Sequence, residues 1–338
     1  MRVSELCLGA MVFGDERGSW GASREEAQRI VERFAEAGGN FIDTASNYAG
    51  GASEPIVGEL IARERERWVV ATKYTVSSRR EDPNAGGSHR KNLAQSLERS
   101  LRRLGTDYLD LLWVHAPDRF TPIEEVLHAL NDQVRAGKVL YTGISDFPAW
   151  RVAHAVALAD ERRLTRFAAL QVPYSLVERT VERELLPMAR DLRLTVTSWS
   201  PLGNGLLTGR YGTDRPRPTD TRLAGIGGAF ADRVASDRNL QIADVANAVA
   251  HERGATTSQV AIAWILSQRR RATIVPIVGA RTSSQLADNL AALELELTAD
   301  EADRLDQVSS VELGFPHDFD TSSLVYGTTE GLIDDHPV

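Results

Sequence analysis

Eight short apolar runs punctuate this chain of 338 residues: "LCLGAMVF", "NFIDTA", "WVVATK", "YLDLLWVH", "VLYTGIS", "FAALQV", "LTVTSW" and "TIVPIVG". They are nearly continuously apolar rather than alternating, which suits strands covered on both faces, as in a parallel sheet. Between them lie amphipathic stretches rich in Ala, Arg, Glu and Leu, which predict helices at 23–37, 89–103, 121–135, 148–158 and 181–190. Ser23 followed by Glu26 reads as a capping box that opens the first helix, and Gly38 and Gly39 suit its end. Eight strand–helix repeats predict the α/β class, specifically a single-domain (β/α)8 TIM barrel. A doubly wound open sheet is the alternative, but it calls for a G-x-G-x-x-G turn between strand and helix. The glycine-rich pieces here, "AGG" at 49–51, "NAGGS" at 84–88 and "GIGG" at 225–228, lack that spacing and read as loops.

The stretch 203–229 after the seventh run is rich in Gly, Pro, Thr and Arg and is expected to be a long loop, not a helix. In a barrel it lies on the C-terminal face, where active sites form. Residues 313–338 show little periodicity and are expected to be a tail that can fold over the barrel mouth, leaving 1–312 as the barrel domain. The single cysteine, Cys7, allows no intrachain disulfide, which with the lack of a signal-peptide pattern predicts a reducing, cytoplasmic setting. No run approaches the ~20 apolar residues of a membrane span. A net charge of -8 argues against a nucleic-acid surface while leaving room for a local cationic site for a phosphate. Nothing in the sequence sets an oligomeric state.

Four polar residues fall at consecutive strand ends, where a barrel brings them to one mouth. Asp43 closes the second run and Tyr48 follows it in the loop. Lys73 closes the third run and His115 the fourth. Each has an ordinary structural reading when taken singly; four in succession point to chemistry. The basic residues are nearly all arginine, and Lys73 is one of only three lysines, with Lys91 and Lys138. A buried ammonium needs a counterion, which Asp43 supplies. A phenol beside an ammonium can release a proton to a developing alkoxide, because the cation stabilises the phenolate left behind. An imidazole beside the phenol can donate a hydrogen bond to a carbonyl oxygen. The set suits reduction of a carbonyl by hydride, and since no side chain supplies hydride, a nicotinamide cofactor is implied. A zinc hydrolase barrel fits poorly, because His115 has no second His or Cys at ligand spacing.

At these residues the chain resembles the aldo-keto reductase family, in its aryl-alcohol-dehydrogenase-like branch. The resemblance runs nearly end to end through "FIDTASNYAGGASEPIVGEL", "SLERSLRRLGTDYLDLLWVHAPD", "AGKVLYTGISDF", "QVPYSLVER", "TSWSPLGNGLLTG" and "IVGARTSSQLADNLAAL". It implies Tyr48 as general acid, Lys73 and Asp43 tuning it, and His115 orienting the carbonyl of a small-molecule substrate. It implies NADPH, with NADH not excluded, bound without a Rossmann domain. Ser145, Asp146 and Gln171 are then expected at the nicotinamide carboxamide, Trp199 against the ring, and Gly9 and Met11 lining the floor. Ser200, Leu202, Asn204, Gly205, Leu206 and Arg210 are expected along the pyrophosphate, and Gly279, Arg281, Gln285 and Asn289 at the adenosine end. The turn "GARTSS" opens a helix whose free N–H groups can face a phosphate, with Arg281 expected on the 2′-phosphate. Met11, Trp20, Tyr48, His115 and Tyr174 are expected to line the substrate pocket.

The chain departs from the family pattern in three places. Asp146 stands where many relatives carry Asn. Gly279 and Ala280 replace a Lys-Ser pair of the aldose-reductase branch. Only Met1 and Arg2 precede "VSELCLGA", where the family usually has a hairpin over the barrel floor. The competing reading, from a different class, is an NADP(H)-binding regulatory barrel with little turnover.

Overall fold

The computed structural model describes residues 1–14, 21–79 and 81–319. Eight parallel strands close into a barrel in sequence order: β1 Cys7–Gly9, β2 Phe41–Asp43, β3 Val69–Tyr74, β4 Leu109–Val114, β5 Val139–Ser145, β6 Phe167–Pro173, β7 Thr195–Trp199 and β8 Ile274–Val278. β8 returns to β1 with Cys7 opposite Ile277, so no strand edge is left open. The helices that follow the strands are α1 Arg24–Glu36, α2 Ser53–Ile61, α3 Arg90–Leu104, α4 Ile123–Arg135, α5 Ala149–Glu161 and α6 Leu185–Asp191. The C-terminal part adds α7 Arg222–Ile226, α8 Gly228–Val234, α9 Asp237–Arg253, α10 Thr257–Ser267, α11 Ser283–Leu290 and α12 Ala299–Ser309.

Strand alternation sorts the apolar residues into two cores. Outward residues such as Leu8, Ile42, Val70, Leu112, Ile144, Leu170 and Val196 pack against the buried faces of the helices. Inward residues fill the barrel itself: Cys7, Phe41, Val69, Ala71, Leu111, Trp113, Ala169, Val275 and Ile277, with Val3 packed against them. The N-terminal residues take up the floor: Ser4 exchanges hydrogen bonds with Asn40 at 2.8 and 3.2 Å, and Val3 meets the interior cluster. Trp113 is the bulkiest of the inward side chains. Its neighbour on β5 is Gly143, where a Cβ would come within 2.3 Å of the indole ring.

Two sequence expectations are corrected here. The stretch after β7 is not wholly loop. α7 lies within it, started by the Thr221 side chain, which accepts the N–H of Ala224 at 3.2 Å, and anchored by buried Leu223. Three buried neighbours, Leu206, Tyr211 and Ala235, share that small satellite core. The capping box at Ser23 is only half formed. Ser23 accepts the Glu26 N–H at 3.2 Å, but the Glu26 carboxylate turns away to accept the N–H of Ser283 at 2.6 Å. Reciprocal capping boxes occur instead at α10 (Thr256, Gln259) and α12 (Thr298, Glu301).

The C-terminal segment is tied down as far as it is described. Arg179 is buried, pairs with Glu182 and Asp306, and donates to Ser309 Oγ at 2.7 Å. Arg183 donates to Glu312 O at 2.9 Å, and His317 meets Glu184 at 2.9 Å. The expected tail over the mouth falls largely on residues 320–338, outside the described residues. Among the described residues, no helix is long and apolar enough to cross a membrane.

Candidate active site

The alternation that builds the barrel also aims the site. On β2, Phe41 and Asp43 point inward around outward Ile42. On β3, Ala71 and Lys73 do the same, and on β4 the inward series Leu111, Trp113 continues one step past the strand to His115. Three strand ends thus deliver a carboxylate, an ammonium and an imidazole to one side of the mouth.

Lys73 is fully buried, so its ammonium must be satisfied by protein. It carries three N–H donors and finds three acceptors: Asp43 Oδ2, the carbonyl of Thr44 at 3.0 Å and the hydroxyl of Tyr48 at 3.0 Å. Burial works against its charge, but Asp43 and then Tyr48 outweigh it and hold its pKa above the usual lysine value. The second oxygen of Asp43 is held as well. It accepts from the Gln171 amide at 3.2 Å, and the same amide nitrogen lies 3.2 Å from Thr197 Oγ1.

Tyr48 rides on a tight turn. Its N–H donates to Ala45 O at 3.1 Å, and Ala49, Gly50 and Gly51 follow with φ of 49°, 66° and 101°, reversing the chain into α2. A second tier braces this turn. Thr44 and Ser53 share a hydrogen bond of 2.8 Å, and Ser53 donates to Ala10 O at 2.7 Å. Glu54, fully buried, accepts from Thr72 at 2.7 Å and pairs with Arg103 at 3.3 Å, while Arg103 also donates to Ser46 O at 3.0 Å. These residues were not singled out from sequence. Their signal was slight: small or charged groups at the start of α2 and on the helix-facing side of β3, where an apolar residue is the ordinary choice.

His115 packs edge-on against Tyr48, with ring centroids 6.0 Å apart and planes at 82°. Its backbone N–H donates to Tyr74 O at 3.1 Å. Burial first, and the Lys73 charge second, push its pKa down to about 3, so the ring is neutral at ordinary pH. Its Nδ1 is buried and meets no partner. A neutral imidazole held this way is an N–H donor for a carbonyl oxygen rather than an acid.

Further round the mouth, the indole N–H of Trp199 donates to Asp146 Oδ1 at 3.0 Å. Solvent reaches Asp146, yet the concave rim crowds protein around it. That crowding raises its pKa, and the indole N–H opposes the shift. The first residues past β3, β5 and β7 are Thr75, Asp146 and Ser200, all non-glycine with φ of 104°, 61° and 54°. Such backbone conformations are costly and gather at functional rims. Asn204 continues the pattern at φ 58°, and Gly205 beside it faces open space.

Other expected residues fall into groups. Gly9 ends β1 and Met11 follows it at the mouth, half-buried. Ser145 ends β5, and Leu202 is half-buried in the turn after β7. Leu206 is fully buried in the satellite core. Arg210 is exposed and pairs with Asp220. The turn into α11 is knitted together: Gln285 accepts the Arg281 N–H at 2.9 Å, and Asn289 donates to Gly279 O at 3.3 Å. The α11 N–H at Ser283 already meets Glu26, so that donor is not free as expected. Tyr174 is a correction. It is fully buried, its hydroxyl donates to Glu182 at 2.7 Å and its ring packs on Trp264, so it belongs to the core rather than to a substrate pocket. Trp20 lies outside the described residues. Among the described residues, no group of three or more His, Cys, Asp or Glu could hold a metal ion.

A closed barrel with a phenol, an ammonium, a carboxylate and an imidazole converging at its mouth defines a class, the barrel oxidoreductases of carbonyl and alcohol groups. The aldo/keto reductase family model matches residues 5–310. The chain is 37% identical to an aryl-alcohol dehydrogenase of Pestalotiopsis microspora, over 94% of this chain and 82% of that one. It is 37% identical to a norsolorinic acid reductase of Emericella nidulans, over 94% of this chain and 81% of the relative. A putative aryl-alcohol dehydrogenase of Saccharomyces cerevisiae is 32% identical over 94% and 86%. The chain belongs to the aldo/keto reductase family, and it is an oxidoreductase acting on carbonyl or alcohol groups.

Proposed function

We propose that the protein reduces an aldehyde or ketone to an alcohol with NADPH, with Tyr48 as the general acid. The observation that carries this reading is the Lys73 ammonium, whose three donors end on Asp43, Thr44 O and the Tyr48 hydroxyl. That cation stabilises the phenolate left when Tyr48 gives its proton to the substrate oxygen. Asp43 keeps Lys73 charged and in place, and does not itself touch substrate. His115, neutral and edge-on to the phenol, donates an N–H to the same carbonyl oxygen and sets its approach.

The residues round the mouth suit a nicotinamide. NADPH supplies the hydride when bound. Gln171 commits its amide nitrogen to Asp43 and Thr197, which leaves its amide oxygen to accept from a carboxamide. Trp199, steered by Asp146, offers a flat face to a nicotinamide ring. The strained turn of Ser200 and Asn204, with open Gly205, offers backbone to a pyrophosphate, and Arg281 on the turn into α11 offers a guanidinium to a 2′-phosphate.

The relatives' names point to aryl alcohols and to norsolorinic acid as what those proteins act on. We extend only the aryl chemistry to this chain, an aromatic carbonyl substrate. The test is NADPH oxidation with a panel of aromatic aldehydes and ketones. Tyr48→Phe is expected to lower turnover by about 10²- to 10⁴-fold, the usual worth of a general acid. Equal, slow rates for wild type and Tyr48→Phe on every substrate would sink the enzyme reading in favour of a cofactor-binding regulatory barrel.

A further inference from the structure

At the opposite end of the barrel from the mouth, the turns leading into β6, β7 and β8 read "RRLTR", "RDLR" and "QRRRA". The last two of these turns border a half-open cavity of about 240 Å³ whose lining residues include Arg190, Arg193, Arg269 and Arg270 together with Thr195 and Thr273. Four exposed arginines thus border one cavity in a chain whose net charge is -8. Arg269 is partly neutralised by Glu5. Arg190, Arg193 and Arg270 form no ion pair with any described residue.

Helix chemistry accounts for part of this. Basic residues suit the last turn of a helix, where Arg190 stands on α6. It does not account for Arg193. That residue sits past the end of α6 with φ 56°, a left-handed position that Gly or Asn fills most readily. Its N–H closes the turn on Arg190 O at 3.1 Å, which holds the two arginines on one short loop. A long cationic side chain at that position brings a charge to the cavity where glycine would be the cheaper choice.

We propose that this cavity is an anion site, separate from the active-site mouth, for a small molecule carrying two linked phosphate groups. Guanidinium forks match phosphate oxygens in pairs, and three unpaired forks around one cavity offer more donors than a single phosphate uses. Thr195 and Thr273 line the same cavity. The volume admits a diphosphate, and the net charge of -8 argues against a nucleic-acid polymer at this surface, so the ligand class is a small polyanion.

Inorganic pyrophosphate titrated into the full-length protein by calorimetry tests this, with and without saturating NADPH. Binding is expected in both conditions, weakening steeply with added salt. It is expected to fall at least tenfold in an Arg193→Ala/Arg270→Ala double variant and to persist in Arg281→Ala. No binding by the wild-type chain, or binding that survives in the double variant, overturns the proposal. Loss only with NADPH present or only in Arg281→Ala would overturn it too, since the pyrophosphate would then be at the cofactor's own phosphate positions. The double variant removes exposed side chains, so it should melt no lower than wild type, and that measurement separates lost binding from lost folding. Protection of Arg193 from phenylglyoxal by pyrophosphate, read by peptide mass, gives a second readout on the wild-type protein alone.

Discussion

At the scale of single residues, the protein keeps one ammonium in a place with no water and makes it useful. The Lys73–Asp43 pair is almost wholly buried, and removing one partner leaves the other charge stranded. Asp43→Ala or Lys73→Met alone is therefore expected to cost about 3–5 kcal/mol. The double variant should cost clearly less than the sum, because no charge is left unpaired. Urea unfolding of the four proteins measures this, and additive losses would mean the pair is not coupled. His115 makes a separate prediction with a definite sign. Its pKa is depressed to about 3, against an ordinary value near 6.5 in the unfolded chain. Between those values the unfolded chain binds a proton that the folded one refuses, so stability is full above about pH 6.5 and falls as pH drops toward 3. His115→Asn should flatten that part of the stability–pH curve, and an NMR titration should find the wild-type ring still neutral at pH 5. The inward residues Asp43, Lys73 and His115 were legible in sequence because each ends or follows an apolar strand. Thr44, Ser53, Glu54 and Arg103 were not, because bracing a turn from behind needs only small or charged groups at particular points in space, with no period along the chain.

At the scale of elements, the strands were easy to read and the boundaries between helix and loop were harder. "VLYTGIS" matches β5 from end to end, since its β-branched residues and flanking Gly-Lys and Asp-Phe-Pro punctuate it on both sides. The run "LCLGAMVF" yields only the three residues of β1, because a chain that must turn at the mouth cannot stay in the ladder. The missed α7 is five residues held by one threonine cap and one buried leucine, too short to show a 3.6-residue period. α2 offers a test in which tertiary packing reverses a local rule. Gly58 sits inside the helix, where alanine is ordinarily better by about 0.5–1 kcal/mol. A Cβ there would lie 2.4 Å from Leu104 O and 2.6 Å from its carbonyl carbon, which is backbone at the end of α3. Gly58→Ala is expected to destabilise by about 1–3 kcal/mol, the usual cost of overpacking, because α2 must move off α3. Since α2 follows directly on the Tyr48 turn, the same variant should also slow turnover. A thermal melt showing stabilisation would mean that α3 yields without cost.

At the scale of the whole molecule, the two ends of the mouth are chemically different. On the Tyr48–Lys73–His115 side a fully buried ammonium has every donor matched, whereas the turn into α11 faces carboxylates from elsewhere in the chain. Asp220, on the long segment after β7, pairs with Arg210 and has its carboxyl pulled below the usual range by that arginine and, more weakly, by Arg281. Glu26 of α1 accepts the Ser283 N–H. Two carboxylates thus stand at the turn proposed for a 2′-phosphate, where the Arg281 guanidinium would give NADPH a contact that NADH lacks. Any ligand that binds only the folded state stabilises it, by about 2.7 kcal/mol at 100 times its Kd. At equal concentration, NADPH is therefore expected to raise the melting temperature more than NADH. Arg281→Ala should remove most of that difference, with a loss of NADPH affinity of about tenfold or more and little change for NADH. On the proposed reading, charge at that end sets cofactor choice without touching the chemistry at the other: turnover at saturating NADPH in Arg281→Ala should stay near wild type while KM for NADPH rises. Equal losses for both cofactors would instead mean that Arg281 supports the turn into α11 and that discrimination lies elsewhere along the mouth.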